Sequence, residues 1–153
     1  MEDHEIISKA TEYLRSHNIL TMATASLEGE PDATALEYVN KGCVVYVTVR
    51  PDSIKVKNIE ENPRVFYEVH EDIPITMESI KKLEAIQVAA TAKVISHNHQ
   101  EFDRIFALMV QKFPIFEKIS HDTRLILKFS PKKLWYLNYR EKLFHRDEVS
   151  FPS

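Results

Sequence analysis

Apolar residues recur at helical spacing in two segments, one at the start of the chain and one beyond its middle. The first segment, residues 1–17, places these side chains on one face: Ile6, Ile7, Ala10, Tyr13 and Leu14. The second follows Asn98 and Glu101, which together resemble a capping box, and its apolar stripe is Phe102, Ile105, Phe106, Met109 and Phe113, with Pro114 after it. This periodicity predicts two amphipathic helices.

Short segments rich in β-branched and aromatic residues separate these helices and follow the second one. We predict strands at 19–25, 33–39, 43–49, 64–69, 83–96, 124–130 and 133–139, the last two joined by Pro131. The first three strands follow one another closely, which favours an antiparallel meander, and the long fifth strand is typical of one that bends around a barrel. Residues 50–63 predict a short helix that is capped by Asp52 or Ser53 and stopped at Asn62-Pro63.

The order of these elements predicts the fold class. It is mainly β with helices (α+β): a small antiparallel barrel with helices packed on it, forming a single domain over residues 1–153. Segment 70–82 gives no clear prediction. The chain shows no internal repeat, low-complexity tract or domain linker.

Composition excludes several classes of function. Two glycines, Gly29 and Gly42, cannot form the glycine-rich loops of Rossmann or P-loop nucleotide sites. The single Cys43 closes no internal disulfide and suits a reducing cytoplasm. A net charge of −3 gives no global attraction to nucleic acid or anionic membranes, and the acidic N-terminus is unlike a signal peptide. We therefore expect a cytoplasmic protein with no nucleic-acid or membrane partner.

The segment 46–63 is the best candidate for chemistry. A strand with Thr48 leads through Arg50 into a helix whose first turn contains Ser53 and Lys55. Because a helix start presents unpaired N–H groups and the positive end of the dipole, these residues suit a phosphate dianion. The alternative is a capped surface helix with solvated lysines, and the local pattern alone favours that alternative.

The histidines give a weaker signal. His97 and His99 are spaced for one face of an extended segment, as metal ligands would be, but no Cys or further His is near in sequence. Histidines in a turn are the favoured interpretation, so we predict no metal site. The polar C-terminal stretch KLFHRDE is interpreted as a solvated tail. Trp135 lies near the end of a strand, where an indole either packs in the core or flanks a planar ligand.

Four segments together resemble the FMN-binding split β-barrel proteins related to pyridoxamine 5′-phosphate oxidase. They are ILTMATASLEGEPDATALEYV, CVVYVTVRPDSIKVKNIEENPRVFYEV, EAIQVAATAKVIS and LILKFSPKKLWYLNY. The resemblance implies an antiparallel split β-barrel of the FMN-binding type, flanked by helices, and a homodimer with one flavin in each of two clefts at the subunit interface. It also implies that the FMN phosphate is held by Thr48, Arg50, Ser53 and Lys55, and that Gln87 approaches the flavin ring from the partner chain. Trp135 resembles a tryptophan near the end of the family fold and is kept among the candidate cofactor-binding residues.

The sequence departs from the oxidase at informative positions. Thr34 stands where the oxidase has an arginine on its second strand, and Val39 stands where it has a lysine. We keep Thr34 among the candidate cofactor-binding residues and expect a function other than pyridoxamine phosphate oxidation. The leading hypothesis is an FMN-dependent oxidoreductase acting on an unknown small molecule or electron donor, with no residue assigned as catalytic. The alternatives are a reductase that binds deazaflavin F420, a non-catalytic flavin-binding or redox-sensing module, and a barrel whose cleft is empty.

Overall fold

The computed structural model describes residues 1–119 and 121–152, in which eight strands form one antiparallel sheet flanked by three α-helices. The helices are α1 (Asp3–Arg15), α2 (Ile54–Glu61) and α3 (Phe102–Lys112). The strands are β1 (Ile19–Ala25), β2 (Pro31–Glu37), β3 (Val39–Lys41), β4 (Val44–Val49), β5 (Arg64–His70), β6 (Glu84–Ile95), β7 (Leu125–Asn138) and β8 (Arg146–Ser150). Short 3₁₀ turns occupy Ser79–Lys82, Pro114–Lys118 and His121–Thr123.

The strands follow the order β2-β1-β5-β6-β7-β4-β3, and β8 pairs with β7 outside this path. β7 pairs with β6 along its whole length, with β4 along its first half and with β8 along its second half. The sheet curls so that β2 and β4, far apart in strand order, come close to each other. This curled antiparallel sheet with helices on it is the split barrel, so the predicted fold class is confirmed.

Two hydrophobic clusters stabilise the fold. The inner face of the sheet and the apolar face of α1 form the larger cluster, in which Leu14, Leu20 and Phe129 are fully buried. The smaller cluster lies between α3 and the other face of β4, β6 and β7, and it includes Phe102, Met109 and Ile126. Both predicted helices exist, and their apolar stripes explain their packing.

The predicted meander of three strands is confirmed only in part. β1 and β2 pair as expected, but β4 pairs with β3 and β7 and stands near the opposite end of the sheet from β2. Val39, predicted as the end of the second strand, instead begins β3, which forms a hairpin with β4 through Gly42. At φ +62°, Gly42 has the left-handed backbone that this tight hairpin needs.

The predicted break at Pro131 is also wrong, because residues 125–138 form one continuous strand. Pro131 lies where the β6–β7 register shifts by one residue between Ala89 and Ala90. A bulge tolerates proline since the missing N–H interrupts no regular ladder bond there. The KLFHRDE stretch is not entirely a solvated tail, since β8 starts at Arg146 and pairs with β7.

The predicted side-chain caps are absent. Ser53 is the N-cap residue of α2 but makes no capping hydrogen bond, and neither does Glu101 at α3. In place of the capping box, the Glu101 N–H donates to His99 Nδ1 at 3.1 Å. In segment 70–82, His70 ends β5 and Ser79–Lys82 form a short 3₁₀ turn. In the part of the chain that the structure describes, no helix combines the length and apolarity needed to cross a bilayer.

Candidate functional site

The loop between β4 and α2 places the predicted phosphate-binding residues together. Thr48 is the second-to-last residue of β4 and is 3% exposed. The Ser53 N–H donates to the Arg50 carbonyl at 3.1 Å, closing a turn between the strand and the helix. Lys55 is half-buried in the first turn of α2. Arg50 extends into solvent, where its Nε lies 3.5 Å from an Asp52 carboxylate oxygen. Short connections between neighbouring elements therefore bring the four residues close together.

The Ser53 hydroxyl is the most unusual group in this loop. Its Oγ is buried and forms no hydrogen bond with any residue that the structure describes. A serine at an N-cap normally accepts a hydrogen bond from a backbone N–H of the first helical turn, and this one does not. A buried hydroxyl without a partner is unfavourable by about 1–3 kcal/mol. The hydroxyl and the helix N–H groups thus remain available to an anion.

Arg124 is a member of this site that sequence reasoning missed. It immediately precedes β7, and its Nη2 donates to the Thr48 carbonyl at 2.9 Å and to Thr48 Oγ1 at 3.0 Å. Burial lowers the pKa of its guanidinium, and the nearby charge of Arg50 adds to this effect while Glu37 opposes it. Arg124 stands 76 residues after Thr48, so only the β4–β7 pairing reveals their contact.

Gln87 and Trp135 lie together but at a different place on the sheet. They are directly paired across β6 and β7, and Trp135 stacks on Phe66 with ring centroids 5.9 Å apart. The Trp135 indole N–H donates to Glu148 Oε1 at 2.6 Å. Gln87 is eight residues along β6 from Ile95, which is in the same row as Thr48, so about 25 Å of strand separates Gln87 from that row. One protomer therefore does not bring Gln87 to the α2 loop.

Thr34 lies apart from the other candidates. It pairs with Met22 on β1, and Met22 pairs with Tyr67 on β5. Because directly paired residues share one face of a sheet, Thr34 faces the barrel interior with these side chains. Thr48, Gln87 and Trp135 lie on the opposite face. The structure thus gathers four of the seven predicted residues at α2, pairs two elsewhere and leaves Thr34 separate.

Two cavities differ from this site in their charge. One, of about 340 Å³, opens beside Ser53 and is lined by the acidic side chains of Asp52, Glu60 and Glu61 and by Lys57. Another, of about 350 Å³, lies beside α1 and is lined in part by Tyr13 and His17, whose rings stack, and by Glu84. Glu84 pairs with Arg140 there and accepts a hydrogen bond from the Tyr136 hydroxyl.

The candidate metal and thiol groups show structural contacts. His99 Nδ1 accepts the Glu101 N–H, and His97 packs edge-on against Phe102. Within residues 1–119 and 121–152, no three His, Cys, Asp or Glu side chains are placed to share a metal ion. Cys43 is buried against α1, and burial raises the pKa of its thiol. A thiol in this environment is a poor nucleophile.

Comparisons with solved structures show the same fold in proteins of different description. A putative pyridoxamine 5′-phosphate oxidase from Listeria innocua has a TM-score of 0.70 and 16% identity, over 87% of this chain and 98% of that chain. HutZ, the heme storage protein from Vibrio cholerae, has a TM-score of 0.67 and 18% identity, over 86% and 91%. A heme-binding protein from Mycobacterium smegmatis has a TM-score of 0.75 and 14% identity, over 98% of this chain but 59% of that chain. At such identities these likenesses establish the fold alone.

A match at the level of the sequence family goes further. No curated protein matches the sequence. The family model for pyridoxamine 5′-phosphate oxidase matches residues 6–138, a range that includes strands β1 to β7. The chain therefore belongs to the pyridoxamine 5′-phosphate oxidase family.

Proposed function

We propose that this protein binds flavin mononucleotide, with the phosphate at the start of α2, and acts as an FMN-dependent oxidoreductase on a small molecule. The main support is the buried Ser53 Oγ, which has no hydrogen-bond partner in the described residues. It lies at a helix start beside Thr48, Arg50 and Lys55, where a dianion would receive hydrogen bonds and positive charge. Bound flavin would supply the hydride or electron transfer.

The chain's own residues would bind and orient the cofactor. Lys55 and Arg50 would neutralise the phosphate, and the Ser53 hydroxyl would donate to one of its oxygens. No side chain in the loop is placed as a general acid or base, so we assign no catalytic residue. Membership of the family supports flavin as the cofactor. The resemblance to the FMN-binding members assigns the phosphate to the same four residues, Thr48, Arg50, Ser53 and Lys55.

A homodimer is part of the same proposal. About 25 Å of β6 separates Gln87 from the row of Thr48, so Gln87 would meet the flavin bound to a second copy rather than its own. The outward face near Gln87 contains Phe66, which is 40% exposed. An exposed aromatic ring on a strand suits an interface between copies.

The first test is the absorption spectrum of purified protein, followed by titration of FMN into protein freed of ligand. Replacing Ser53 with Ala and Lys55 with Gln together should weaken FMN binding by ~2–4 kcal/mol. A charge-assisted hydrogen bond contributes ~1.5–3 kcal/mol, and two such bonds to one phosphate are less than additive. Lys41→Gln is the matched control, because Lys41 is exposed at the end of β3. An unchanged dissociation constant in the double variant would reject the phosphate assignment.

The other ligands are separated in the same experiment. Hemin is titrated in parallel because two proteins of similar fold are a heme-binding protein and a heme storage protein. F420 is titrated because a reductase that binds F420 is the alternative given by the sequence analysis. Binding of hemin or F420 without FMN would replace the proposed cofactor. Bound FMN that neither NADH nor NADPH reduces would favour a binding or redox-sensing module over an oxidoreductase.

A further inference from the structure

The Arg124 guanidinium is fixed at one end and unsatisfied at the other. Its Nη2 donates to both oxygens of Thr48, at 2.9 and 3.0 Å, and Thr48 is 3% exposed at the end of β4. Its Nε is buried and has no hydrogen-bond partner in the described part of the chain. A guanidinium has five N–H groups and stays charged, so a buried donor without a partner is costly. The side chain is therefore held in place with a donor unused.

The charges around Arg124 include another cation and one exposed carboxylate. Arg50, in the loop that follows β4, acts on Arg124 as a like charge, and Glu37 at the end of β2 acts on it as an opposite charge. Glu37 is exposed, so water screens its charge. The Ser53 hydroxyl, three residues after Arg50, also has no partner. Two cations and two unsatisfied donors around one loop indicate a place for a dianion.

We propose that Arg124 binds the terminal phosphate of the flavin and makes the site select FMN over unphosphorylated riboflavin. This inference rests on the proposed FMN function and adds a residue and a ligand preference to it. Thr48 acts as a positioning residue, because its two oxygens hold Nη2 and so direct the other N–H groups of the guanidinium.

The test compares FMN and riboflavin affinities by quenching of flavin fluorescence in the wild-type protein and in Arg124→Gln. FMN should bind about 10- to 150-fold more weakly to the variant, which is the loss of one hydrogen bond to a charged group. Riboflavin affinity should stay unchanged. Arg104→Gln, which removes an exposed arginine on α3, should alter neither affinity. Equal weakening of both flavins would show a merely structural role and overturn the inference, as would no change.

Two further measurements keep the inference separate from folding and from the proposed function. Arg124→Lys retains the charge but not the planar set of donors, so its FMN affinity should fall between those of wild type and Arg124→Gln. If the wild-type protein binds neither flavin, the proposed function fails, and inorganic phosphate becomes the probe. Thermal stabilisation by phosphate in wild type but not in Arg124→Gln would support the anion site, and its absence in wild type would overturn it.

Discussion

Lys112 is the residue whose environment has the clearest consequence for pH dependence. It is the last residue of α3, and its Nζ donates to the carbonyls of His17 and Tyr38 while lying 4.4 Å from the centre of the Tyr38 ring. Burial lowers the pKa of this amine from 10.5 to about 8. One side chain thus joins the end of α3 to the turn before β1 and to the residue between β2 and β3.

Lys112 should make the protein more stable as the pH rises. Between about pH 8 and 10.5 the unfolded chain keeps the lysine proton that the folded chain has lost, so the free energy of unfolding increases with pH across this window. Cys43 opposes the effect, because its pKa is raised in the folded state. Urea unfolding of wild type and Lys112→Met, both retaining Cys43, isolates the lysine.

The measured quantity is the difference in unfolding free energy between these two proteins. The free energy of unfolding of wild type should rise relative to that of Lys112→Met from about pH 8 to about pH 9.5. This range lies below the pH at which unfolded tyrosines ionise. A difference that stays constant over this range would contradict the prediction.

At the scale of elements, α2 is fixed to the sheet by one buried polar contact. Asn58 Nδ2 donates to Thr24 Oγ1 on β1 at 3.0 Å, and both residues are buried. Val56 and Ile59 of the same helix belong to the larger hydrophobic cluster. The start of α2 forms part of the candidate phosphate site, and β1 orients this helix through a direct hydrogen bond and through packing.

Asn58→Ala should lower the free energy of unfolding by about 1–3 kcal/mol, because the buried Thr24 hydroxyl loses its partner. Asn62→Ala is the control, since Asn62 accepts only long contacts of 3.4 Å from Arg64 at the end of the helix and should cost less than about 0.5 kcal/mol. Urea denaturation of both variants measures the two changes. Equal losses would argue that the Asn58–Thr24 bond does not stabilise the helix.

The elements that sequence reasoning predicted are those governed by local periodicity. The stripe of α3 and the alternation along β6 appear in the sequence because each repeats every few residues. Strand pairing has no such local repeat in the sequence, so β7 was not predicted as a neighbour of β4. The break predicted at Pro131 is wrong because proline is tolerated at a bulge inside a strand as well as between strands. The contact of Arg124 with Thr48 joins positions 76 residues apart, and no local pattern encodes it.

For the whole molecule, the proposed homodimer leads to a specific substitution. Phe66 is 40% exposed on the outward face near Gln87, whereas Ile115 is 68% exposed in the turn after α3. If the outward face joins two copies, Phe66→Glu should give a monomer, because a carboxylate buried in an interface is strongly unfavourable. Ile115→Glu should leave the mass unchanged.

Light scattering at micromolar concentration distinguishes the two variants. A wild-type monomer, or a Phe66→Glu protein that is still dimeric, would remove this face as the interface. FMN titration of any monomer then reports whether the flavin needs residues of both copies.

The continuous strand β7 also determines when the protein can fold during its synthesis. Residues 125–138 join β6 to β4 and provide the pairing edge for β8, so a nascent chain that ends before them consists of two separate pieces of sheet with open edges. Such edges are prone to pair with other chains. Ribosome-bound chains should therefore resist proteases only after this strand has left the exit tunnel.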